Sequence, residues 1–86
     1  MTLLYFAWVR ERIGRDSEEI ALPADVQTVA ALLDWLRGRG DGYAQALEDL
    51  SVIRVAVNQE FAAPDHAVAD GDEIALFPPV TGGARP

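Results

Sequence analysis

Apolar residues at the start of the chain fall on alternate places, with Leu3, Tyr5, Ala7 and Val9 on one side. Leu4, Phe6, Trp8 and Arg10 fall on the other. A period of two predicts a strand over Thr2 to Arg10. Gly14-Arg15-Asp16 supplies a turn, and Glu18 to Leu22 is expected to return as the second strand of a hairpin. Pro23-Ala24-Asp25 breaks that strand. The period then lengthens: Val29, Leu32, Leu33 and Leu36 recur at helical spacing, with Trp35 at the edge of the stripe. Thr28 stands where an N-cap hydroxyl would accept from the first helical turn, and Gly38 and Gly40 close the helix. Tyr43, Ala46, Leu47 and Leu50 predict a shorter second helix.

Val52 to Val57 reads as a β-branched strand with Ile53, Val55 and Val57 on one face. Asn58-Gln59-Glu60 is a turn, Phe61-Ala62-Ala63 a short edge strand before Pro64, and Asp70-Gly71-Asp72 a second turn. The last strand, Glu73 to Phe77, points Ile74 and Leu76 inward and Ala75 and Phe77 outward. Strand, strand, helix, strand, short strand, strand is the order of an α+β layer, with one sheet face buried under the main helix. Leu4, Phe6 and Trp8 on the first strand and Phe77 on the last then share the uncovered face. If those strands are neighbours, the apolar groups merge into a docking patch.

Composition narrows the function. At 86 residues, half of them hydrophobic, the chain has the size of one domain with its own core. Cysteine is absent, so disulfides, thiolate metal sites and a cysteine nucleophile are excluded. No apolar stretch reaches the length of a membrane span, and a soluble cytoplasmic protein with no membrane partner is expected. A formal charge of −7 speaks against nucleic acid and fits either a partner with a basic docking surface or acidity that serves solubility alone. His66 is the only histidine and lacks a second ligand nearby, so no metal is assigned. Asp70 and Asp72 flank a glycine without the remaining ligands of a calcium loop. Paired carboxylates, a nucleophile with its base and a phosphate-cradling loop are all missing, so a standalone enzyme is not expected.

The C-terminus carries the chemistry. Phe77-Pro78-Pro79-Val80-Thr81-Gly82-Gly83 ends a strand at two prolines and continues as a filament without bulky side chains. The expected layout is a domain over residues 1–80 and a flexible tail over 81–86. This ending, with Tyr5-Phe6-Ala7-Trp8-Val9-Arg10-Glu11 and Gly14, Val57-Asn58-Gln59 and Asp70-Gly71-Asp72-Glu73, resembles the small subunits of molybdopterin synthase. Those are ubiquitin-like sulfur carriers of the β-grasp fold. The resemblance implies that Gly83, preceded by Gly82, is activated as an acyl-adenylate and converted to a thiocarboxylate. Its sulfur then passes to a cyclic pyranopterin phosphate to build the dithiolene of molybdopterin. It implies three protein partners: an adenylating enzyme that uses ATP, a sulfur donor and the synthase large subunit, with two small subunits on a large-subunit dimer. No permanently bound cofactor is implied. Phe6, Arg10, Phe61 and Phe77 match positions that contact the large subunit, and Pro78, Val80 and Thr81 lie on the segment that enters it.

One feature departs from the family pattern. The chain continues through Ala84-Arg85-Pro86, and no adenylate can form at Gly83 while an amide occupies its carbonyl. Trimming of those three residues is the expectation; a fusion remnant, an artefact of preparation or a homologue without the chemistry are the alternatives. A carrier for thiamine, transfer-RNA thiolation or cysteine synthesis is a second reading of the same fold. A β-grasp interaction module that never carries sulfur is a third.

Overall fold

The computed structural model describes residues 1–79. Five strands form one mixed sheet: β1 Thr2–Tyr5, β2 Ser17–Glu19, β3 Arg54–Val57, β4 Glu60–Phe61 and β5 Glu73–Phe77. Their order is β2-β1-β5-β3-β4, with β5 parallel to β1 and antiparallel to β3. The last strand in sequence is therefore the central one in space. Helices α1 (Ala7–Ile13), α2 (Val29–Arg37) and α3 (Asp41–Ala46) are the α-helices among the described residues, with a 3-10 turn at Leu50–Val52.

The expected strand over Thr2 to Arg10 stops at Tyr5, and a helix takes its place. Ala7 adopts φ +55°, which turns the backbone out of the sheet. The Phe6 carbonyl then accepts from the N–H groups of Val9 (3.1 Å) and Arg10 (3.3 Å). Gly14, at φ +94°, ends α1 by donating to the Arg10 carbonyl at 2.8 Å. Glycine suits that left-handed position because it carries no Cβ. Leu3, Tyr5 and Val9 are buried, as the alternation predicts, but Ala7 is exposed. Both periods send Val9 inward, so the pattern could not separate them.

The second strand also shifts, to Ser17–Glu19. Ile20 still donates to the Met1 carbonyl, but the Leu22 N–H turns to the Asp70 carboxylate at 2.9 Å. β1 and β2 pair antiparallel, joined by a helix rather than a tight turn. The strand expected from Val52 begins only at Arg54, because the 3-10 turn uses the preceding residues.

The main helix follows the sequence closely, whereas the expected helix over Tyr43 to Leu50 is Asp41–Ala46, with Leu50 in the 3-10 turn, and the edge strand expected at Phe61 to Ala63 is Glu60–Phe61. Ala31 N–H donates to the Thr28 Oγ1 at 3.2 Å, capping α2. Val29, Leu32, Leu33 and Leu36 are buried against Leu3, Tyr5, Val55, Val57, Ile74 and Leu76. Leu32, Leu36, Ile74 and Leu76 have no exposed surface, and each contributes roughly 1.5–3 kcal/mol by leaving water. Asn58 and Gln59 take φ +52° and +72° at the β3–β4 turn. The Asn58 amide donates to Asp72 at 3.0 Å, its oxygen accepts from Glu73 N–H at 3.0 Å, and Asp72 also accepts from Ala69 N–H at 2.8 Å. Hydrogen bonds from Asn58 and then Ala69 hold the Asp72 carboxyl below its ordinary pKa. Two of the stretches that carry the family resemblance thus tie one turn to the start of the central strand.

One close approach was invisible in sequence. A Cβ on Gly42 would sit 2.6 Å from the Arg12 carbonyl oxygen, where α3 crosses the end of α1. In an ordinary helix Gly→Ala gains about 1 kcal/mol. Here Gly42→Ala is expected to lose roughly 1–3 kcal/mol, because backbone must move to make room. Urea denaturation decides the sign, and a stabilised variant would contradict the α1–α3 packing.

Candidate functional site

The ladder registers place the candidate residues. Leu4, Ala75 and Ala56 are opposite one another across β1, β5 and β3, and Ala56 faces Phe61 on β4. Arg54 faces Phe77 one pair further along. All point away from the buried side, since Leu3, Ile74 and Val57 take the intervening positions. The result is an outward face with small residues at its middle and aromatic residues at its rim. Phe61 and Phe77 have ring centroids 5.9 Å apart. Phe61 is 79% exposed and Phe6 47% exposed, an expensive display of apolar surface for an 86-residue chain.

Phe6 is held firmly at its backbone. Its N–H donates to the Leu76 carbonyl at 3.2 Å, extending the β1–β5 ladder by one bond, while its carbonyl begins α1. The side chain is left in water by that arrangement. Ala7 carries a left-handed φ beside it, a conformation that costs a non-glycine residue roughly 1–2 kcal/mol.

Two residues expected on the outward face of the first strand lie elsewhere. Trp8 belongs to α1, is partly buried against the core, and is covered by the Arg12 guanidinium 4.5 Å from its ring. Arg10 is exposed on the same helix, not on the outward face of a strand. The conversion of strand to helix at Ala7 moves both. Pro78 is half-buried just past β5, whereas Val80, Thr81, Gly82 and Gly83 lie outside the described residues. Arg54 was missed by sequence reasoning. Its outward parity was readable, but its position beside Phe77 required the strand order. A groove of about 510 Å³ continues from Arg54 and Phe61 round the β4 edge toward α2, lined by Leu33, Leu50 and Ile53 among others.

The strongest electrostatic feature lies on the opposite, buried side. Glu18 accepts from the hydroxyls of Tyr5 and Tyr43, each at 2.6 Å, and from Arg39 at 2.9 Å and Arg15 at 3.3 Å. Burial pushes its pKa up, but the bonds from Tyr43, Tyr5 and Arg39 outweigh burial and hold it below the usual glutamate value. Burial first, then the bond to Glu18, raises both tyrosines. Arg39 also stacks over Trp35 and Tyr43, so Trp35 is an edge residue with a charged cover. This cluster pins α3 and the α2 end to β2.

His66 is exposed in a loop, and its backbone serves α2 by accepting from Val29 N–H at 3.0 Å. Among the described residues there is no group of three or more potential metal ligands, and no helix is long and apolar enough to cross a membrane.

A mixed sheet over one main helix, with a central last strand running out at a Pro-Pro pair, defines a ubiquitin-like β-grasp module. The chain belongs to the ThiS family, whose model matches residues 3–83, and to the family of molybdopterin synthase sulfur carrier subunits. It is 49% identical to the molybdopterin synthase sulfur carrier subunit of Escherichia coli K12, over 94% of this chain and 96% of that protein. It is 46% identical to the subunit of the same name from Haemophilus influenzae, over 96% and 99%. The crystal structure of small archaeal modifier protein 1 from H. volcanii superposes with a TM-score of 0.72 at 36% identity, covering 93% of this chain and 97% of that one.

Proposed function

We propose that this chain is the sulfur-carrying small subunit of a molybdopterin synthase, with the carboxyl carbon of Gly83 as the reacting atom. The observation that carries the reading is topological. β5 lies at the centre of the sheet, between β1 and β3, and aims its end past the exposed Phe6 and Phe61 and the half-buried Phe77. A partner that docks on this face receives the tail directly.

The chemistry needs a free carboxyl at Gly83, hence removal of Ala84-Arg85-Pro86. A carboxylate is a poor acyl donor because it would have to expel oxide. Its oxygen attacks the α-phosphorus of ATP on the adenylating enzyme, and pyrophosphate leaves. Hydrosulfide delivered by the sulfur donor then attacks the acyl carbon, the bond to the adenylate oxygen breaks and AMP leaves, and loss of the proton leaves sulfur as a thiocarboxylate. Gly82 and Gly83 leave that carbonyl open on both sides. The large subunit would take up Val80 to Gly83 and hold the pterin substrate. A dithiolene has two sulfurs, so two carriers are consumed for each product. Arg54 and Pro78 are proposed partner contacts at the rim of the face, with Phe6, Phe61 and Phe77 as its apolar anchors, and Arg10 on α1 is a further proposed contact.

Phe61 offers a clean test of docking, because it is too exposed to matter for the core. Phe61→Ala is expected to weaken large-subunit affinity by about 2 kcal/mol, roughly 30-fold, with an unchanged melting temperature. Titration calorimetry with the purified large subunit measures it; an unchanged Kd would remove β4 from the interface. The function itself is tested by reconstitution. Thiocarboxylated chain ending at Gly83, the large subunit and cyclic pyranopterin phosphate should give molybdopterin. Failure with a thiocarboxylate confirmed by mass would exclude this synthase as the destination of the sulfur.

A further inference from the structure

We infer that this chain is a one-way acyl donor: activated at Gly83, it can acylate another molecule but not a second copy of itself. The inference rests on the carrier reading above and adds the class of acceptor that reading leaves open.

It comes from what the surface offers to a reactive acyl group. The sequence holds no lysine and no cysteine, since all seven of its basic side chains are arginine. A guanidinium stays protonated in any protein and is no nucleophile. The single primary amine is the α-amino group of Met1. Met1 is buried, its nitrogen donates to the Ile20 carbonyl at 2.9 Å, and the Asp70 carboxylate stands 3.6 Å away. Were Met1 removed, the next nitrogen, that of Thr2, already donates to the Asp72 carbonyl at 3.0 Å. The hydroxyls of Tyr5 and Tyr43 are committed to Glu18, and that of Ser51 to Asp49 at 2.6 Å. An ester on any hydroxyl, or an acyl group on exposed His66, would be cleaved by hydroxylamine.

Amide formation at Gly83 would join its carbonyl carbon to an amine nitrogen. The bond to the adenylate oxygen breaks, AMP leaves and the amine proton goes to solvent. No other reactant is needed, so only the supply of an amine decides whether copies become linked. An amine-free surface lets the acyl group persist until sulfur or a foreign amine meets it.

Two measurements test this. In the first, the full chain is treated with the acetyl ester of N-hydroxysuccinimide, folded and in guanidinium chloride. Acetylation surviving hydroxylamine is expected to be one group per unfolded chain and roughly tenfold slower or more in the folded protein. Rapid labelling of the folded chain would overturn the inference. In the second, chain ending at Gly83 is incubated with its adenylating enzyme and ATP, without sulfur donor. Exchange of pyrophosphate into ATP with only monomers after hydroxylamine is expected from the natural sequence, and amide-linked dimers from Arg37→Lys, which places an amine on the exposed end of α2. Dimers from the natural sequence, or none from Arg37→Lys, would overturn the inference. Absence of exchange would instead overturn the carrier reading beneath it.

Discussion

Glu18→Ala is expected to lose about 3–5 kcal/mol of folding stability, the usual cost of removing one partner from a buried charge cluster. A domain of this size holds only about 5–10 kcal/mol in all, so the variant should melt more than 10 °C lower. The cause is the loss of a shared acceptor. Glu18 accepts from Tyr5, Tyr43, Arg39 and Arg15, and without it two hydroxyls and the Arg39 guanidinium lose their acceptor. Glu18→Gln keeps the shape and isolates the charge. In the natural protein the carboxyl has a lower pKa folded than unfolded. Its contribution is therefore complete above the unfolded value of about 4.3 and disappears as pH falls through the folded value. Urea midpoints between about pH 7 and pH 3 should fall less steeply for Glu18→Gln than for the natural sequence. Equal slopes would show that the cluster does not hold the charge.

Removing Gly83, so that the chain ends at Gly82, is expected to lower sulfur transfer more than 100-fold while leaving the melting temperature unchanged. One residue of extended chain spans about 3.3–3.6 Å, so the reacting carbon retreats by that distance from its place in the partner. A displacement of about 1 Å already costs roughly 100-fold in a positioned reaction. The core is closed by residues between Met1 and Leu76, so stability has no reason to change. Single-turnover transfer with the large subunit, beside a thermal melt, separates the two effects. Normal transfer from Gly82 would mean that reach along the tail is not what the partner reads.

How much of this was legible depends on whether the signal was local. The stripe of α2, its Thr28 cap and the parity of β5 are local, and each was found where expected, while β3 kept its inward parity but began at Arg54 rather than Val52. The switch at Ala7 was not, because Leu3, Tyr5 and Val9 satisfy a strand pattern whether or not a helix begins between them. Gly14 was the available clue, since a glycine closing a short helix and a glycine in a hairpin turn look alike. Glu18 was unreadable as a hub because Tyr5, Arg39 and Tyr43 reach it from 13, 21 and 25 residues away. The apolar face was half legible. Leu4, Phe6 and Phe77 followed from alternation, Trp8 was misplaced with the strand, and Arg54 emerged only once β3 was seen beside β5. The tail was read from its residues alone: Pro78 and Pro79 that end a strand, and glycines that leave a carbonyl bare.

The central claim is that Gly83 bears sulfur, and intact mass spectrometry tests it most directly. Chain ending at Gly83 is incubated with ATP, the cognate adenylating enzyme and a sulfur donor, and then weighed. A gain equal to one oxygen exchanged for one sulfur is expected, located in the C-terminal peptide and absent from the chain that retains Ala84-Arg85-Pro86. An unchanged mass from a chain that the enzyme has demonstrably adenylated would contradict it.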